Sequence, residues 1–185
     1  MTMAAMHFVS DTHSIWLGPD LAATGRAKFQ KEMASNSGKI DVEVEVKTPV
    51  DKFWNSIRDS TNLFPKAFPD QYKSIEVVEG DGKSIGSVRL IKYAEGSPLA
   101  TFSKEKIESV DEGNKTVVYS VIDGETMKYY KSFKGSLTVT PKGDGSLVKW
   151  CCEFEKASDD IPEPQLIKDF AVKNFKDLDA YLIRA

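Results

Sequence analysis

Residues 116–156 read TVVYSVIDGETMKYYKSFKGSLTVTPKGDGSLVKWCCEFEK, and this stretch decides the fold class. Apolar side chains recur at every second position in three runs, a period that is typical of half-buried strands. The runs are Thr116–Ile122, Tyr129–Thr140 and Ser146–Lys156. Asp123-Gly124 and the PKGDG segment at 141–145 separate them with residues that favour tight turns. The stretch therefore predicts three antiparallel strands joined by short connections.

Four further strands are predicted between this stretch and the N-terminus. They cover Ile40–Val46, Ser74–Glu79, Gly86–Tyr93 and Leu99–Val110. The first alternates most cleanly, because its isoleucine and valine residues occupy one face and its acidic residues the other. Glycine, aspartate and asparagine punctuate the connections between the later strands. The whole pattern predicts one seven-stranded antiparallel sheet, six strands of which form a meander.

Two short helices and one long helix complete an α+β chain. Thr48 is predicted as the N-cap of the first helix, with Pro49 at its first position. A second short helix is predicted over Leu63–Phe68. The long helix ends the chain and carries Pro162 and Pro164 in its first turn, where no amide hydrogen is needed. The residues of its inner face recur at three- and four-residue steps over about twenty residues, at Ile167, Phe170, Ala171, Asn174, Leu178, Tyr181 and Leu182.

The overall composition excludes several classes of partner. The 185 residues carry a net charge of −3, whereas a nucleic-acid-binding domain favours a basic surface. The same balance argues against a polybasic face that would bind a membrane surface. No run reaches the roughly 18 apolar residues that a membrane span needs. We therefore predict no nucleic-acid partner and no membrane span.

Histidine and cysteine usage limits the chemistry. The two histidines, His7 and His13, lie in the N-terminal segment, so the predicted domain contains neither a histidine-based metal centre nor a Ser-His-Asp system. Cys151 and Cys152 are adjacent, and neighbours on a strand point to opposite faces, which argues against a disulfide between them. This usage indicates a reducing compartment. No catalytic residue, metal ligand or cofactor is predicted.

The arrangement of sheet and helix predicts an internal cavity. A seven-stranded antiparallel sheet twists and curls, and a single helix across its concave face can leave an unfilled space. Aromatic walls with a few polar tips suit a mostly apolar ligand. The alternative is a filled core, in which the buried amide of Asn174 bonds a strand carbonyl. The predicted ligand-binding residues are Tyr93, Phe102, Tyr119, Phe133, Trp150, Phe170, Ala171 and Asn174.

Several segments resemble a known family of plant proteins. They are Gly38–Lys47 (GKIDVEVEVK), Asn62–Pro69 (NLFPKAFP), Tyr119–Glu125 (YSVIDGE), Tyr129–Phe133 (YYKSF) and Asp169–Lys176 (DFAVKNFK). In this order they are similar to the major latex proteins, and in particular to the MLP-like group of the Bet v 1 superfamily, which includes the class-10 pathogenesis-related proteins. The resemblance covers residues 38–185.

The resemblance implies a helix-grip fold, with seven strands, two short helices in a V and a long C-terminal helix around a cavity. It also implies that the protein binds hydrophobic ligands such as steroids, fatty acids, cytokinins or flavonoids, takes part in plant defence or stress responses, and lies in the cytoplasm. Residues 38–185 would form this ligand-binding domain. Residues 1–32 show no helical or strand period, and we expect residues 1–37 to form a mobile N-terminal extension.

Two alternative functions remain open beside that of a carrier. An enzyme would use Lys131 or Arg89, which strand parity points inward beside Tyr93 and Tyr119. A ligand-dependent protein-interaction module would work like the abscisic acid receptors of the same fold. The segments EGSPLA at 95–100 and ETMK at 125–128 depart from the receptor pattern at both of its mobile loops. Phosphatase inhibition of the receptor kind is therefore not expected, whereas other partner-binding roles stay open and the sequence names no protein partner.

The glycine-rich segment at 79–86, EGDGKSIG, is interpreted as a turn. It lacks the spacing of a phosphate-binding loop, and Asp81 would repel a phosphate. It also joins two predicted strands, so no helix N-terminus stands behind it.

Overall fold

The computed structural model describes residues 36–97 and 100–185, and within them seven strands form one antiparallel sheet. The strands are β1 (Ser37–Val46), β2 (Tyr72–Glu79), β3 (Val88–Tyr93), β4 (Phe102–Asp111), β5 (Thr116–Gly124), β6 (Tyr130–Lys142) and β7 (Gly145–Lys156). Their order across the sheet is β1-β7-β6-β5-β4-β3-β2. The predicted six-stranded meander and the α+β fold class are therefore confirmed, and β1 adds the seventh strand beside β7.

Helices within the same residues cover the sheet and link its edges. They are α1 (Val50–Arg58), α2 (Ser60–Ala67), α3 (Thr126–Tyr129) and α4 (Gln165–Arg184). The first two carry the chain from β1, at one edge of the sheet, to β2, at the other. The α4 helix has 20 residues, as its periodicity predicts. None of the described helices combines the length and the hydropathy that crossing a membrane requires.

The predicted starts of all three helices are wrong. The second short helix, α2, begins at Ser60, three residues before the predicted Leu63, and ends at Ala67 instead of Phe68.

The first short helix begins later than predicted. The side chain of Thr48 caps no amide of α1, which begins at Val50 with Pro49 as the flanking residue. The Thr48 hydroxyl instead donates to the Asp179 carboxylate of α4 at 2.7 Å. That carboxylate also accepts from the backbone amides of Lys47, at 3.1 Å, and Thr48, at 2.8 Å. The long helix therefore holds the link between β1 and α1 through the Asp179 carboxylate, and no motif near Thr48 predicts this contact.

The two prolines before α4 likewise lie outside the helix that they were predicted to begin. Pro164 is the N-cap residue, and α4 starts at Gln165. Pro162 stands further upstream, where its carbonyl accepts a hydrogen bond from the Tyr130 hydroxyl at 3.0 Å. The α3 turn is not predicted by the sequence, because four residues carry too little pattern to reveal a helix.

The core lies between the inner face of the sheet and the helices. Phe53 and Trp54 of α1, Ile107 of β4, Val148 of β7 and Leu178 of α4 are completely inaccessible to solvent. Burying a large apolar side chain contributes about 1.5–3 kcal/mol to the free energy of unfolding. These side chains belong to one apolar cluster between the sheet and the helices.

Alternation along β7 places the two cysteines on opposite faces of the sheet, as predicted. Cys152 is completely buried, whereas Cys151 is half-buried on the other face, and both thiols are free. Burial raises the pKa of the Cys152 thiol, which therefore stays protonated near neutral pH and is a poor nucleophile.

Candidate functional site

A cavity of about 170 Å³ lies between the inner face of the sheet and α4. Side chains from the two short helices close one side of it, and side chains from β2 to β7 form its floor. The structure brings most of the predicted ligand-binding residues together in its wall. These are Tyr93, Tyr119, Phe133, Trp150, Phe170, Ala171 and Asn174.

The structure does not bring Phe102 to the cavity. Phe102 begins β4, and the inward positions of that strand belong to Ser103 and Glu105, which both line the cavity. Phe102 is one step out of phase with them, so its side chain lies on the opposite face of the sheet. The predicted start of this strand, Leu99, lies outside the described residues, and the prediction did not resolve the parity of Phe102.

The inward orientation predicted for Lys131 is wrong. Its side chain is 54% exposed, and its ammonium group pairs with the Glu155 carboxylate at 3.2 Å. The register between β6 and β7 shifts between Tyr130 and Ser132, so Lys131 is the extra residue of a β-bulge. Because a bulge reverses the alternation, parity counted back from the inward Phe133 points Lys131 to the wrong face. No lysine is among the described residues that line the cavity.

Aromatic side chains form one end of the cavity. Phe170 of α4 meets Tyr72 and Tyr93 edge to face, with ring centroids 5.9 and 6.0 Å apart. Tyr72 also packs against Phe64 of α2, at 5.5 Å. Such edge-to-face pairs add about 0.5–1.5 kcal/mol beyond area burial. The rings therefore form a preformed wall that offers both π faces and hydroxyl groups.

The Asn174 amide joins α4 to the loop before β2. Its nitrogen donates to the Gln71 side-chain oxygen at 3.2 Å and to the Tyr72 hydroxyl at 2.9 Å. Gln71 in turn donates to the Asp177 carboxylate at 2.7 Å. The partners are side chains and not the strand carbonyl considered in the filled-core alternative. Asn174 therefore positions the helix over the cavity as well as lining it.

A buried ion pair lies in the cavity wall. Arg89 and Glu105 are directly opposite each other on β3 and β4, and Nη2 of Arg89 lies 3.0 Å from Oε2 of Glu105. Nη1 of Arg89 donates to the Ser60 hydroxyl at 3.2 Å, while its Nε is buried without a partner. Burial raises the pKa of the Glu105 carboxyl, and the Arg89 charge only partly opposes that effect.

Sequence reasoning named Arg89 but missed Glu105, Ser60 and Ser103. A usable signal exists for Glu105, because it sits two residues before the buried Ile107 and shares its inward parity in β4. A charged residue at an inward position of a half-buried strand requires a partner. Ser60 carries no such signal, because its approach to the cavity depends on the tertiary placement of α2.

Tyr93 and Tyr119 also line the cavity, and both of their hydroxyls are hydrogen-bonded. The Tyr93 hydroxyl lies 3.1 Å from the Ser103 hydroxyl, and the Tyr119 hydroxyl accepts from Nε1 of Trp150 at 3.0 Å. Burial raises the pKa of both phenols, which therefore stay protonated near neutral pH. They suit hydrogen bonding to a ligand better than they suit the role of a base.

Gly135 makes room for the Tyr119 ring. The two residues are opposite each other on β5 and β6. A Cβ at position 135 would lie 2.3 Å from Cζ of Tyr119, far inside van der Waals contact. The ring therefore lies across a strip of bare backbone, and this sets how far it reaches into the cavity.

The glycine-rich loop joins β2 to β3, and its own carboxylate occupies the donors that an anion would use. Asp81 accepts from the backbone amides of Lys83 and Ser84 at 2.7 and 2.6 Å. It also accepts from the hydroxyls of Ser84, at 2.6 Å, and Ser87, at 3.0 Å. These hydrogen bonds hold the pKa of the Asp81 carboxyl well below its usual range. Among the residues described, no group of three or more His, Cys, Asp or Glu side chains could hold a metal ion.

Comparison with known proteins identifies the family. Residues 35–185 match the family model described as the pathogenesis-related protein Bet v 1 family. The chain is also 58% identical over 148 residues to MLP-like protein 423 of Arabidopsis thaliana. The aligned region covers 80% of this chain and 96% of that protein. The chain belongs to the Bet v 1 family, in its MLP-like group.

Solved structures of other proteins share the architecture. The crystal structure of major latex-like protein 151 from Panax ginseng is 26% identical, with a TM-score of 0.73 over 79% of this chain and 97% of that one. A norcoclaurine synthase from Thalictrum flavum is 20% identical, with a TM-score of 0.61 over 80% of this chain and 96% of that one. At that identity, the likeness to the synthase concerns the fold alone.

Proposed function

We propose that this MLP-like chain is a carrier that binds a small, largely apolar molecule in the cavity between the sheet and α4. The observation that carries the proposal is the cavity itself, which remains open beside a core that is otherwise closed. Its wall is mainly aromatic and aliphatic, with a few hydroxyl and charged groups, as in small-molecule sites. Membership of the Bet v 1 family supports the same conclusion.

The size of the cavity limits what it can hold without rearrangement. An apolar cavity of roughly 150 Å³ accommodates benzene, whereas pockets for drug-sized ligands measure roughly 300–1,000 Å³. At about 170 Å³, this cavity fits a ligand of one or two rings. A sterol or fatty acid would have to displace α4 or α2 from the sheet. We propose that Tyr93, Tyr119, Phe133, Trp150, Phe170, Ala171 and Asn174 contact the ligand, and that Phe102 does not.

Two further elements of the proposal concern the setting of the protein. The family description supports a role in plant defence or stress responses, and the two free thiols fit a cytoplasmic location. We also propose that residues 38–185 bind the ligand without residues 1–37, which include a segment outside the described residues. A chain beginning at residue 38 should bind the same molecules with unchanged affinity; a loss of binding would contradict this assignment.

A ring placed inside the cavity tests the proposal. Ala171 lies on α4 and lines the cavity, so Ala171→Phe would fill the space with a ring of about the size of benzene. Ala180→Phe is the matched control, because Ala180 is exposed on the same helix. The protein is first isolated from plant tissue, and native mass spectrometry and organic extraction identify the bound compound. We expect Ala171→Phe to lose that compound and Ala180→Phe to keep it, with both variants folded by circular dichroism. Equal retention by the two variants would refute a ligand in this cavity.

The enzyme alternative loses Lys131, one of the two residues on which it was built, whereas Arg89 lines the cavity in an ion pair with Glu105. Lys131 pairs with Glu155 outside the cavity, so a Schiff base on Lys131 would not be reached by a bound ligand. Burial raises the pKa of the Tyr93 and Tyr119 phenols, so both stay protonated near neutral pH and neither can accept a proton as a base. The geometry therefore supports binding better than it supports turnover through these three groups.

A further inference from the structure

Each charged side chain that lines the cavity has a partner of opposite charge. Arg58, Arg89 and Glu105 are the charged residues among the described residues of the lining. Arg58 lies over the Trp54 ring at 5.6 Å and pairs at 3.3 Å with Glu112, whose side chain is 63% exposed. Arg89 and Glu105 neutralise each other 3.0 Å apart, with side chains only 14% and 16% exposed. A bound ligand therefore meets two neutral pairs, Arg89–Glu105 within the lining and Arg58–Glu112, whose carboxylate lies outside the lining.

This balance penalises a charged ligand of either sign. A carboxylate that approaches Arg89 also approaches Glu105, which already holds the guanidinium, and it loses its hydration on entering the cavity. An ammonium group that approaches Glu105 is repelled by Arg89, which lies beside this carboxylate, the only buried one in the described lining. A neutral ligand bears neither cost.

The same wall offers hydrogen-bond donors that the protein does not fully use. A guanidinium carries five N–H groups, and Arg89 directs one nitrogen to Ser60 and another to Glu105, while its Nε has no partner. The paired Tyr93 and Ser103 hydroxyls share one hydrogen bond, which leaves one hydroxyl hydrogen to donate. Buried donors without acceptors favour a ligand that brings an oxygen acceptor.

We propose that the cavity selects neutral aromatic molecules of one or two rings that carry a hydroxyl or carbonyl oxygen, and that the Arg89–Glu105 pair enforces neutrality. The aromatic end formed by Phe170, Tyr72 and Tyr93 contacts the rings, and the polar end receives the oxygen. This inference rests on the proposed carrier function and specifies its ligand class. It assigns Glu105 to specificity, a role that the sequence pattern did not suggest.

A set of ligands with one shape separates charge from size. Binding of naphthalene, 2-naphthol, 2-naphthamide and 2-naphthoate to the full chain is measured at neutral pH by isothermal titration calorimetry. The amide and the carboxylate are nearly identical in shape and differ in charge. We expect 2-naphthoate to bind at least about tenfold more weakly than 2-naphthamide, and 2-naphthol to bind more tightly than naphthalene.

A charge variant then tests the role of the ion pair. Glu105→Gln leaves the Arg89 cation without its counter-charge, so 2-naphthoate should gain about tenfold or more in affinity while 2-naphthamide changes little. Glu76→Gln is the matched control, because Glu76 forms an exposed pair with Lys92 at 2.8 Å and does not line the cavity. The wild-type comparison of amide and carboxylate needs no variant, so it remains decisive if Glu105→Gln fails to fold.

The outcomes separate failure of the proposed ligand class from failure of the proposed carrier function. Equal binding of amide and carboxylate by the wild-type chain overturns the inference and leaves the carrier function standing. A folded Glu105→Gln variant that gains no affinity for 2-naphthoate overturns the role of the ion pair. Binding of long lipids without any naphthyl compound overturns the ligand class. Failure to bind either naphthyl compounds or a panel of lipids and steroids overturns the carrier function as well.

Discussion

Replacing Gly135 by alanine should push the Tyr119 ring away from the sheet and into the cavity. The new Cβ would lie 2.3 Å from Cζ and 2.5 Å from the hydroxyl oxygen of Tyr119. Carbon atoms in contact are about 3.5–4.0 Å apart, so the ring must move by about 1 Å or more. A movement of that size breaks the hydrogen bond that Trp150 donates to the Tyr119 hydroxyl at 3.0 Å.

The expected loss of stability follows from these two effects. Overpacking a well-packed site costs about 1–3 kcal/mol, and leaving a buried indole N–H unpaired costs about 1–3 kcal/mol. Because the same displacement causes both effects, we expect Gly135→Ala to lower the free energy of unfolding by about 2–4 kcal/mol. Binding of 2-naphthol should weaken as well, since the displaced ring occupies the cavity.

Urea denaturation followed by circular dichroism measures the stability change. Gly113→Ala is the matched control, because its new Cβ would come no closer than 3.3 Å, to the exposed Asp111 carboxylate. Tyr119→Leu removes the clashing ring, so the double variant with Gly135→Ala should be more stable than the sum of the single changes predicts. A Gly135→Ala protein within about 0.5 kcal/mol of the wild type, or strictly additive effects in the double variant, would refute this reasoning.

Two other predictions concern carboxylates that hold loops. Asp179→Ala should lower the free energy of unfolding by about 2–3 kcal/mol in urea denaturation, because it removes the acceptor for the Lys47 and Thr48 amides and the Thr48 hydroxyl. The control Asp169→Ala, which loses an exposed bond from Gln165, should change it by less than about 0.5 kcal/mol; equal effects would contradict the assignment. Asp81→Asn should be less stable than the wild type at neutral pH, because a depressed folded-state pKa stabilises the fold above the unfolded-state value. That difference should shrink as the pH falls below about 4 towards the folded-state pKa, and a difference independent of pH would show that the Asp81 charge does not hold the loop.

The elements whose pattern lies within one short segment could be predicted from the sequence. The strands and α4 carry their own period, and Gly80, Gly82 and Gly86 adopt the positive φ that makes the loop between β2 and β3 possible. The cavity was predicted from architecture, since one helix does not fill a curled sheet, and the structure places Tyr119, Trp150 and Phe170 in its wall.

The remaining features depend on contacts between distant segments or on breaks in the local period. The bulge at Lys131 reverses the alternation of inward and outward side chains, and no glycine marks its position in the sequence. Strand parity alone therefore cannot orient the Lys131 side chain. Thr48 and Pro49 satisfy the local rules for a helix start, but the Thr48 hydroxyl binds the carboxylate of Asp179, 131 residues away, instead of an amide of α1. The meeting of Ser60 with Arg89 similarly requires α2 to be placed on the sheet before the contact can be foreseen.

The pairing of β1 with β7 has a consequence for how the chain is made. Strand β1 leaves the ribosome before the rest of the sheet, yet Ser37 pairs with Glu155, near the end of β7. The carboxylate that holds the link after β1 arrives still later, on the C-terminal helix. During synthesis the hairpins of the meander can form one after another, while β1 waits with its alternating apolar face uncovered. Completion of the sheet is therefore a late, long-range event, and the apolar face of β1 needs protection from aggregation until β7 has emerged.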